Sequence, residues 1–308
     1  MRVENACASG GFALRLAVDA VASGRRDLVL VVGLEKMTDV PSARRRYWLG
    51  VSGDTEWERL AGLTFAGVYG LMASRYEVEY GPVRAALSEV AVKNHAHAAR
   101  NPNAHFQKLV SQEQASSAPP VAAPLGLYDC CPVSDGAAAL LVARPDLGRR
   151  WTDTPVYVVG SGAGSDHLAV QERKQITRLD ASRAAAAEAF RNAPFDRKSL
   201  DFVEVHDCFT IAELLALEDL GLAPRGGAGK LTLSGETRLG GRLPVNPDGG
   251  LKAKGHPIGA TGISQVYEVF LQLRRQAGVR QVRGAERALT HNVGGSGATA
   301  AVHLFSVD

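Results

Sequence analysis

Among the 308 residues there are only four cysteines, Cys7, Cys130, Cys131 and Cys208. So few thiols, without the spacing of a metal clip, exclude a disulfide-stapled secreted scaffold and lead one to expect reduced thiols in a cytoplasmic setting. Long apolar runs are missing too: none approaches the roughly 18 residues that a membrane-crossing helix needs. No apolar leader opens the chain as printed, and Ser306-Val307-Asp308 is not a peroxisomal address. An excess of charge of one sign is also absent, since 35 Lys and Arg against 32 Asp and Glu leave +3. With no basic stripe, nucleic acid is not an expected partner. The densest basic cluster is Arg44-Arg45-Arg46, followed by Tyr47-Trp48. It reads as a solvated loop face or, alternatively, as a grip on a polyphosphate, because guanidinium forks suit phosphate oxygens.

Hydrophobic residues make up 45% and charged residues 22%, an ordinary balance for a globular chain with room for two domains. Up to Gly33 the pattern is a strand remnant, a helix carrying Phe12, Leu16 and Val21, and the strand Leu28–Val32. That strand is apolar throughout, as a parallel strand covered on both faces would be. From about residue 36 to 125 the pattern is irregular, with a helix expected over Arg84–Arg100; long excursions in α/β enzymes often shape binding sites. A small-residue strand, Ala137–Ala143, and a linker, Arg144–Thr154, lead to a second α/β pattern. Its expected elements are strand Val156–Val159, helix Ser182–Asn192, strand Phe202–Val205, helices from Thr210 and Pro257, and strand Ala300–Phe305.

A weak internal repeat links the halves. Glu4–Gly11 opens a helix ending in Gly24-Arg25-Arg26, and Lys254–Ala260 opens one ending in Arg274-Arg275-Gln276. Each unit places one reactive side chain, Cys7 or His256, just ahead of small residues at a helix start. Two such halves related by a pseudo-twofold would bring the two turns face to face.

Four stretches carry side chains suited to chemistry. Cys7 precedes a helix N-terminus, where N–H groups and the helix dipole favour a thiolate; a core cysteine fits the same place. His256 lies in KGHPIGATG, with Pro257 at the helix start and glycines leaving little bulk around the imidazole; a satisfied structural histidine is the plainer reading. The run Phe202–Val205 breaks into His206-Asp207-Cys208 just as a helical pattern begins, with Ile211, Leu214, Leu215 and Leu217 and then Gly221 at the C-terminal end. In open α/β folds the carboxyl end of a strand is where ligands bind, although a buried cysteine and a hydrogen-bonded histidine would look the same. Last, THNVGGSGATA sets Gly294, Gly295 and Gly297 after His291 and Asn292, either an oxyanion hole of backbone N–H groups or a plain hairpin bend. Adjacent Cys130-Cys131 read as packing. His95 and His97, two apart on a helix, point away from each other. By ligand type alone Cys7, His206, Cys208 and His256 would also suit zinc.

Together these stretches resemble the thiolase superfamily over nearly the whole chain. ENACASGG is similar to the family's acyl-accepting cysteine motif, and HDCF (His206 to Phe209) to the second motif of the sterol-carrier-protein-2 type. GHP (Gly255 to Pro257) resembles the third motif, and YDCCPVSDGAAALL (Tyr128 to Leu141) the lead-in to the second half. The resemblance implies an α/β fold of two pseudo-repeated halves, 1–150 and 151–308, with a loop domain of about 36–125 inserted in the first. It implies an acyl-CoA acyltransferase of lipid or fatty acid metabolism, an acetyl-CoA acetyltransferase or 3-ketoacyl-CoA thiolase. Such an enzyme runs Claisen condensation or thiolytic cleavage through a cysteine acyl-enzyme. Cys7 would be the nucleophile and His256 its base. Cys208 would be the carbon acid/base, taking over from the second cysteine of ordinary thiolases, whose position falls on Asn292. His206 and His256 would stabilise the enolate oxygen, and the N–H groups of Cys7 and Gly294 the acyl-enzyme oxyanion. No bound cofactor and no metal are implied; coenzyme A is a substrate. The implied partners are acyl-CoA and CoA, a second copy in a homodimer or homotetramer, and a small acyl-CoA-binding OB-fold protein.

The family places a strand–helix–strand–helix segment ahead of its cysteine motif, whereas only Met1 to Ala6 precede Cys7 here. The expectation is a first sheet with empty inner positions and exposed apolar surface. Such a chain should aggregate or work poorly unless an upstream segment or a separate chain supplies the strands. Two other readings follow. One is a thiolase-fold retro-aldolase or lipid-transfer-like protein acting on sterol side-chain CoA esters, a type that tends to lose the nucleophile. The other is a non-catalytic subunit.

Overall fold

The computed structural model describes residues 1–308. The first half contains α1 (Ser9–Ala22), β1 (Leu28–Glu35), α2 (Ser42–Gly50), α3 (Phe65–Tyr80), α4 (Arg84–Ala98), α5 (Gln112–Ser116), β2 (Pro120–Ala122), β3 (Leu125–Gly126) and β4 (Gly136–Ala143). The second contains α6 (Pro145–Trp151), β5 (Tyr157–Ser165), α7 (Asp180–Phe190), β6 (Phe202–Glu204), α8 (Thr210–Asp219), α9 (Ala228–Leu233), α10 (Gly250–Ala253), α11 (Ile258–Leu273), β7 (Arg287–Gly294) and β8 (Thr299–Ser306). The central sheet runs β5-β8-β7-β6; β6 and β7 are parallel and the other pairs antiparallel.

Alternation along the central strands sorts the core into layers. Phe202, Ala288 and Phe305 face a cluster shared with Leu14 of α1 and Ile263 and Val269 of α11. Their neighbours Val203, Leu289 and Leu304 face the opposite cluster, with Leu87 of α4, Ala185 of α7 and Leu214 of α8. The result is helices on both faces of the sheet.

Three sequence expectations change. The strand at Leu28 pairs with β4 antiparallel, not parallel, and Leu30 stands opposite Leu141. Only one face of it is covered: Leu30, Val32 and Leu34 are 63%, 52% and 67% exposed, whereas Val31 packs against α11's cluster. The linker after β4 contains α6, started by Pro145 in its first turn and closed by Arg149 and Arg150 in its last, charges suited to a helix C-terminus. Strand β7 was not foreseen as a strand, because His291 and Asn292 interrupt its apolar pattern; both are buried. The glycine run after it forms the turn of the β7–β8 hairpin.

One contact sets the site. A Cβ at Gly10 would lie 2.9 Å from the Gly262 Cα, and one at Gly262 would collide with the Gly11 nitrogen and the Asn292 side chain. Helices α1 and α11 therefore begin in backbone contact, and the turns that precede them, bearing Cys7 and His256, are drawn together. We predict that Gly262→Ala, by forcing these backbones apart, destabilises the protein by about 1–3 kcal/mol, read as a lowered unfolding midpoint with unchanged far-ultraviolet circular dichroism.

Candidate active site

The turn before α1 is held by its own polar atoms. Ala8 N–H donates to Asn5 O at 3.0 Å and Ser9 N–H to Ala6 O at 3.1 Å. Ser9 Oγ donates to Ala6 O at 2.6 Å and accepts from Asn5 N–H at 2.8 Å. These bonds keep Ala6 at φ 47°, a left-handed conformation that costs a residue with a Cβ about 1–2 kcal/mol. Asn292 braces the turn from the sheet: its Oδ1 accepts from Gly11 N–H at 3.0 Å, and its Nδ2 donates to Cys7 O at 3.0 Å.

Donor atoms of Cys7, His206 and His256 all lie within 4.8 Å of one another. The two imidazole rings meet edge to face, with centroids 5.1 Å apart at 88°, and the Nε2 atom of each is buried with no protein partner. Their Nδ1 atoms are engaged in opposite ways. Thr261 Oγ1 is 2.7 Å from His256 Nδ1 and donates its single hydrogen to Pro257 O at 2.9 Å. His256 Nδ1 must then carry the ring hydrogen, which leaves a lone pair on Nε2. His206 Nδ1 receives the Val293 N–H at 3.3 Å and the Asn292 Nδ2 at 3.2 Å. Both partners are donors, so His206 Nδ1 is bare and its Nε2 carries the hydrogen. One imidazole presents an acceptor to the site and the other a donor.

Desolvation governs the charges. Burial pushes the Cys7 thiol up to about 12 and His256, also near Lys254, down to about 3. His206 is held well below the ordinary imidazole range by burial and then by His256. Cys7 as a residue is half-buried, and desolvation of its sulfur acts against the thiolate that its place at a helix start was expected to favour. The resting pair is therefore a neutral thiol and a neutral imidazole. Two backbone N–H groups meet the Cys7 sulfur, that of Gly295 and that of Cys7 itself; Gly294, which the resemblance pairs with Cys7 as an oxyanion donor, is one residue earlier, at the end of β7. Arg173 fixes this hairpin turn, with Nη1 donating to Ser296 O at 2.7 Å.

Cys208 lies outside the three-residue cluster, buried beside the α3 residue Tyr69. Between His206 and Cys208, Asp207 points the other way: its carboxylate accepts from Leu251 N–H at 2.7 Å, Lys252 N–H at 3.2 Å and Asn94 Nδ2 at 2.7 Å. It so ties the HDCF turn to α10, which leads directly to His256. A fully buried Lys93–Glu213 pair at 2.8 Å supports the same junction, and burial with Glu213 nearby raises Asp207 to about 7. Sequence reading missed Tyr69, Thr261 and this role of Asp207, since each acts on a residue remote in the chain or through an unremarkable local pattern. His97 is a satisfied structural histidine, its Nδ1 2.9 Å from Asn246 O and its Nε2 accepting Leu239 N–H at 2.9 Å. Cys130 and Cys131 pack against the large core. Of the basic cluster, Arg45 donates to Val40 O at 3.1 Å, while Arg44 and Arg46 stand exposed on α2. A cavity of about 260 Å³ beside the Cys7 turn is lined by Ala6, Ser9, Lys36, Arg45, Trp48 and Ile258 among others.

Comparison with known proteins gives the family. Residues 1–146 match the thiolase N-terminal domain and residues 162–307 the thiolase C-terminal domain-like family. The chain belongs to the thiolase superfamily. An acetyl-CoA acetyltransferase from Methanothermobacter thermautotrophicus is 51% identical over 305 residues, 99% of this chain and 79% of that relative. Sterol carrier protein 2 from Bos taurus is 34% identical over 97% of this chain and 57% of its own length. A solved Ltp2-ChsH2(DUF35) aldolase superposes with a TM-score of 0.87 at 25% identity, covering 99% of this chain and 78% of that one. No helix is long and apolar enough to cross a membrane.

The opposed tautomers are open to direct measurement. Nitrogen-15 NMR of ring-labelled protein should show the hydrogen on Nδ1 of His256 and on Nε2 of His206. Neither ring should take up a second proton between about pH 5 and 8. In Thr261→Val the His256 preference should weaken while that of His206 stays.

Proposed function

We propose that this chain is an acyl-CoA acyltransferase of thiolase type, working through an acyl-enzyme on Cys7. The observation that carries the reading is the pair of opposed imidazoles around one thiol. His256 Nε2, the acceptor, takes the Cys7 proton as the sulfur attacks a thioester carbonyl carbon. The neutral resting pair means that this proton moves only when a thioester is there to receive the electrons. The bond to the CoA sulfur then breaks, and His256 returns the proton to the departing CoA. His206 Nε2–H, the donor, faces the enolate oxygen of a second acyl-CoA, joined by His256 whenever that ring holds the transferred proton. Backbone N–H groups around the thiol, those of Cys7, Gly294 and Gly295, meet the oxyanion of the acyl-enzyme. Cys208 exchanges a proton with the α-carbon. Condensation of acyl-CoA and thiolytic cleavage of a 3-ketoacyl-CoA are the two directions of this sequence, and the acetyl-CoA acetyltransferase relative named above supports it.

In the same reading no metal resides among these groups. A cation at His206 Nε2 would need the hydrogen moved to Nδ1, against the Val293 N–H and Asn292 Nδ2 that point there. The segments 1–150 and 151–308 are pseudo-repeated halves, a division supported by the meeting of α1 and α11.

The likeness to the solved aldolase favours a second reading, retro-aldol cleavage of a CoA ester, which needs no acyl-cysteine. Cys208→Ala separates the two. This variant should still form acyl-Cys7 on incubation with acyl-CoA, seen by mass, while CoA-dependent cleavage of acetoacetyl-CoA falls by about 10²–10⁴-fold. Absence of acyl-Cys7 in both wild type and variant, with cleavage of an aldol substrate retained, would transfer the assignment to the aldolase.

A further inference from the structure

Cys208 faces a problem that Cys7 does not. In thiolysis its S–H gives a proton to the α-carbon of the departing enolate, and the thiolate left behind must survive until the incoming CoA thiol returns a proton and attacks acyl-Cys7. It lies outside the cluster of Cys7, His206 and His256 and is only 7% exposed. Burial pushes its thiol well above the ordinary range, and the neighbouring Cys131, Cys7 and Asp207 push in the same direction.

One neighbour acts the other way. Tyr69 of α3 is 1% exposed, and its ring stacks on Phe209, the residue after Cys208, with centroids 4.7 Å apart at 26°. Its hydroxyl is buried and makes no hydrogen bond, which is rare for a phenol inside a protein, and the Cys208 thiol is among the groups close enough to act on it. We propose that the Tyr69 hydroxyl is the hydrogen-bond donor that steadies the Cys208 thiolate between the two proton transfers, a positioning residue acting through the sulfur. The proposal rests on the reading of Cys208 as carbon acid/base. Burial holds the Tyr69 phenol well above its ordinary range, so it keeps its hydrogen throughout. The stack on Phe209 fixes where the hydroxyl points, and no charge needs to be buried to supply the donor.

Tyr69→Phe tests this with the ring stack retained. Acyl-Cys7 formation from acyl-CoA should keep its rate. Cleavage of acetoacetyl-CoA, and exchange of acyl-CoA α-protons with deuterated water, should fall about 10- to 100-fold, as expected for loss of a hydrogen bond to a charged group. The limb of the pH profile that reports Cys208 should move to higher pH, a change that loosened packing would not produce. Unchanged carbon–carbon chemistry and an unmoved limb would overturn the proposal, as would an equal loss in acyl-Cys7 formation. Cys208→Ala run beside it distinguishes the two failures: if Cys208→Ala itself cleaves normally, the role of Cys208 falls; if it is inactive and Tyr69→Phe is normal, only the role of Tyr69 falls.

Discussion

Backbone contact between α1 and α11, possible only because Gly10 and Gly262 lack side chains, fixes the separation of the reactive groups. Each helix is preceded by a turn carrying one of them, so the helix starts act as a common ruler. Asn292 makes the ruler rigid. Its amide reaches Gly11, Cys7 and His206 at once, coupling the Cys7 turn to the imidazole that comes from β6. Asp207 adds the remaining join, from β6 to the turn ahead of α11. Cys7, His206 and His256 come from segments far apart in sequence, yet a short chain of buried hydrogen bonds ties each to the other two.

Enclosure then decides the electrostatics. A helix start stabilises a nearby anion by roughly 0.3–1 kcal/mol where solvent is near, but desolvation opposes the anion more strongly here, and Cys7 rests as a thiol. The site is preorganised by hydrogen bonds to neutral groups, Thr261 on one ring and Val293 on the other. The directions of proton donation are set before any charge develops, which is the condition under which fixed dipoles lower a barrier most.

Much of this was legible in the chain. Cys7, HDCF, GHP and the glycine run near the end announced themselves because reactive side chains interrupted apolar or small-residue patterns at element boundaries. The helix starts expected at Ser9, Arg84 and Thr210 are where the structure has them, the last on apolar spacing alone. What escaped had physical reasons. Strand β7 is buried through polar residues whose partners are distant, so no local pattern marks it. The antiparallel pairing of β1 departs from the both-faces reading of its apolar run, while the uncovered Leu30, Val32 and Leu34 agree with the apolar surface expected on the first sheet. Tyr69 and Thr261 are ordinary residues in ordinary helices, made special only by what folding brings to them. The desolvation of Cys7, which opposes the thiolate expected at a helix start, escaped for the same reason: the sequence displays a helix start but not its surroundings.

The neutral resting pair has a consequence for redox chemistry. Peroxide attacks thiolates far faster than thiols, so a nucleophile kept protonated until a thioester arrives is spared oxidation while the enzyme is idle. In the proposed mechanism Cys7 is charged only briefly, during turnover, and the acyl group that would form on it then covers the sulfur.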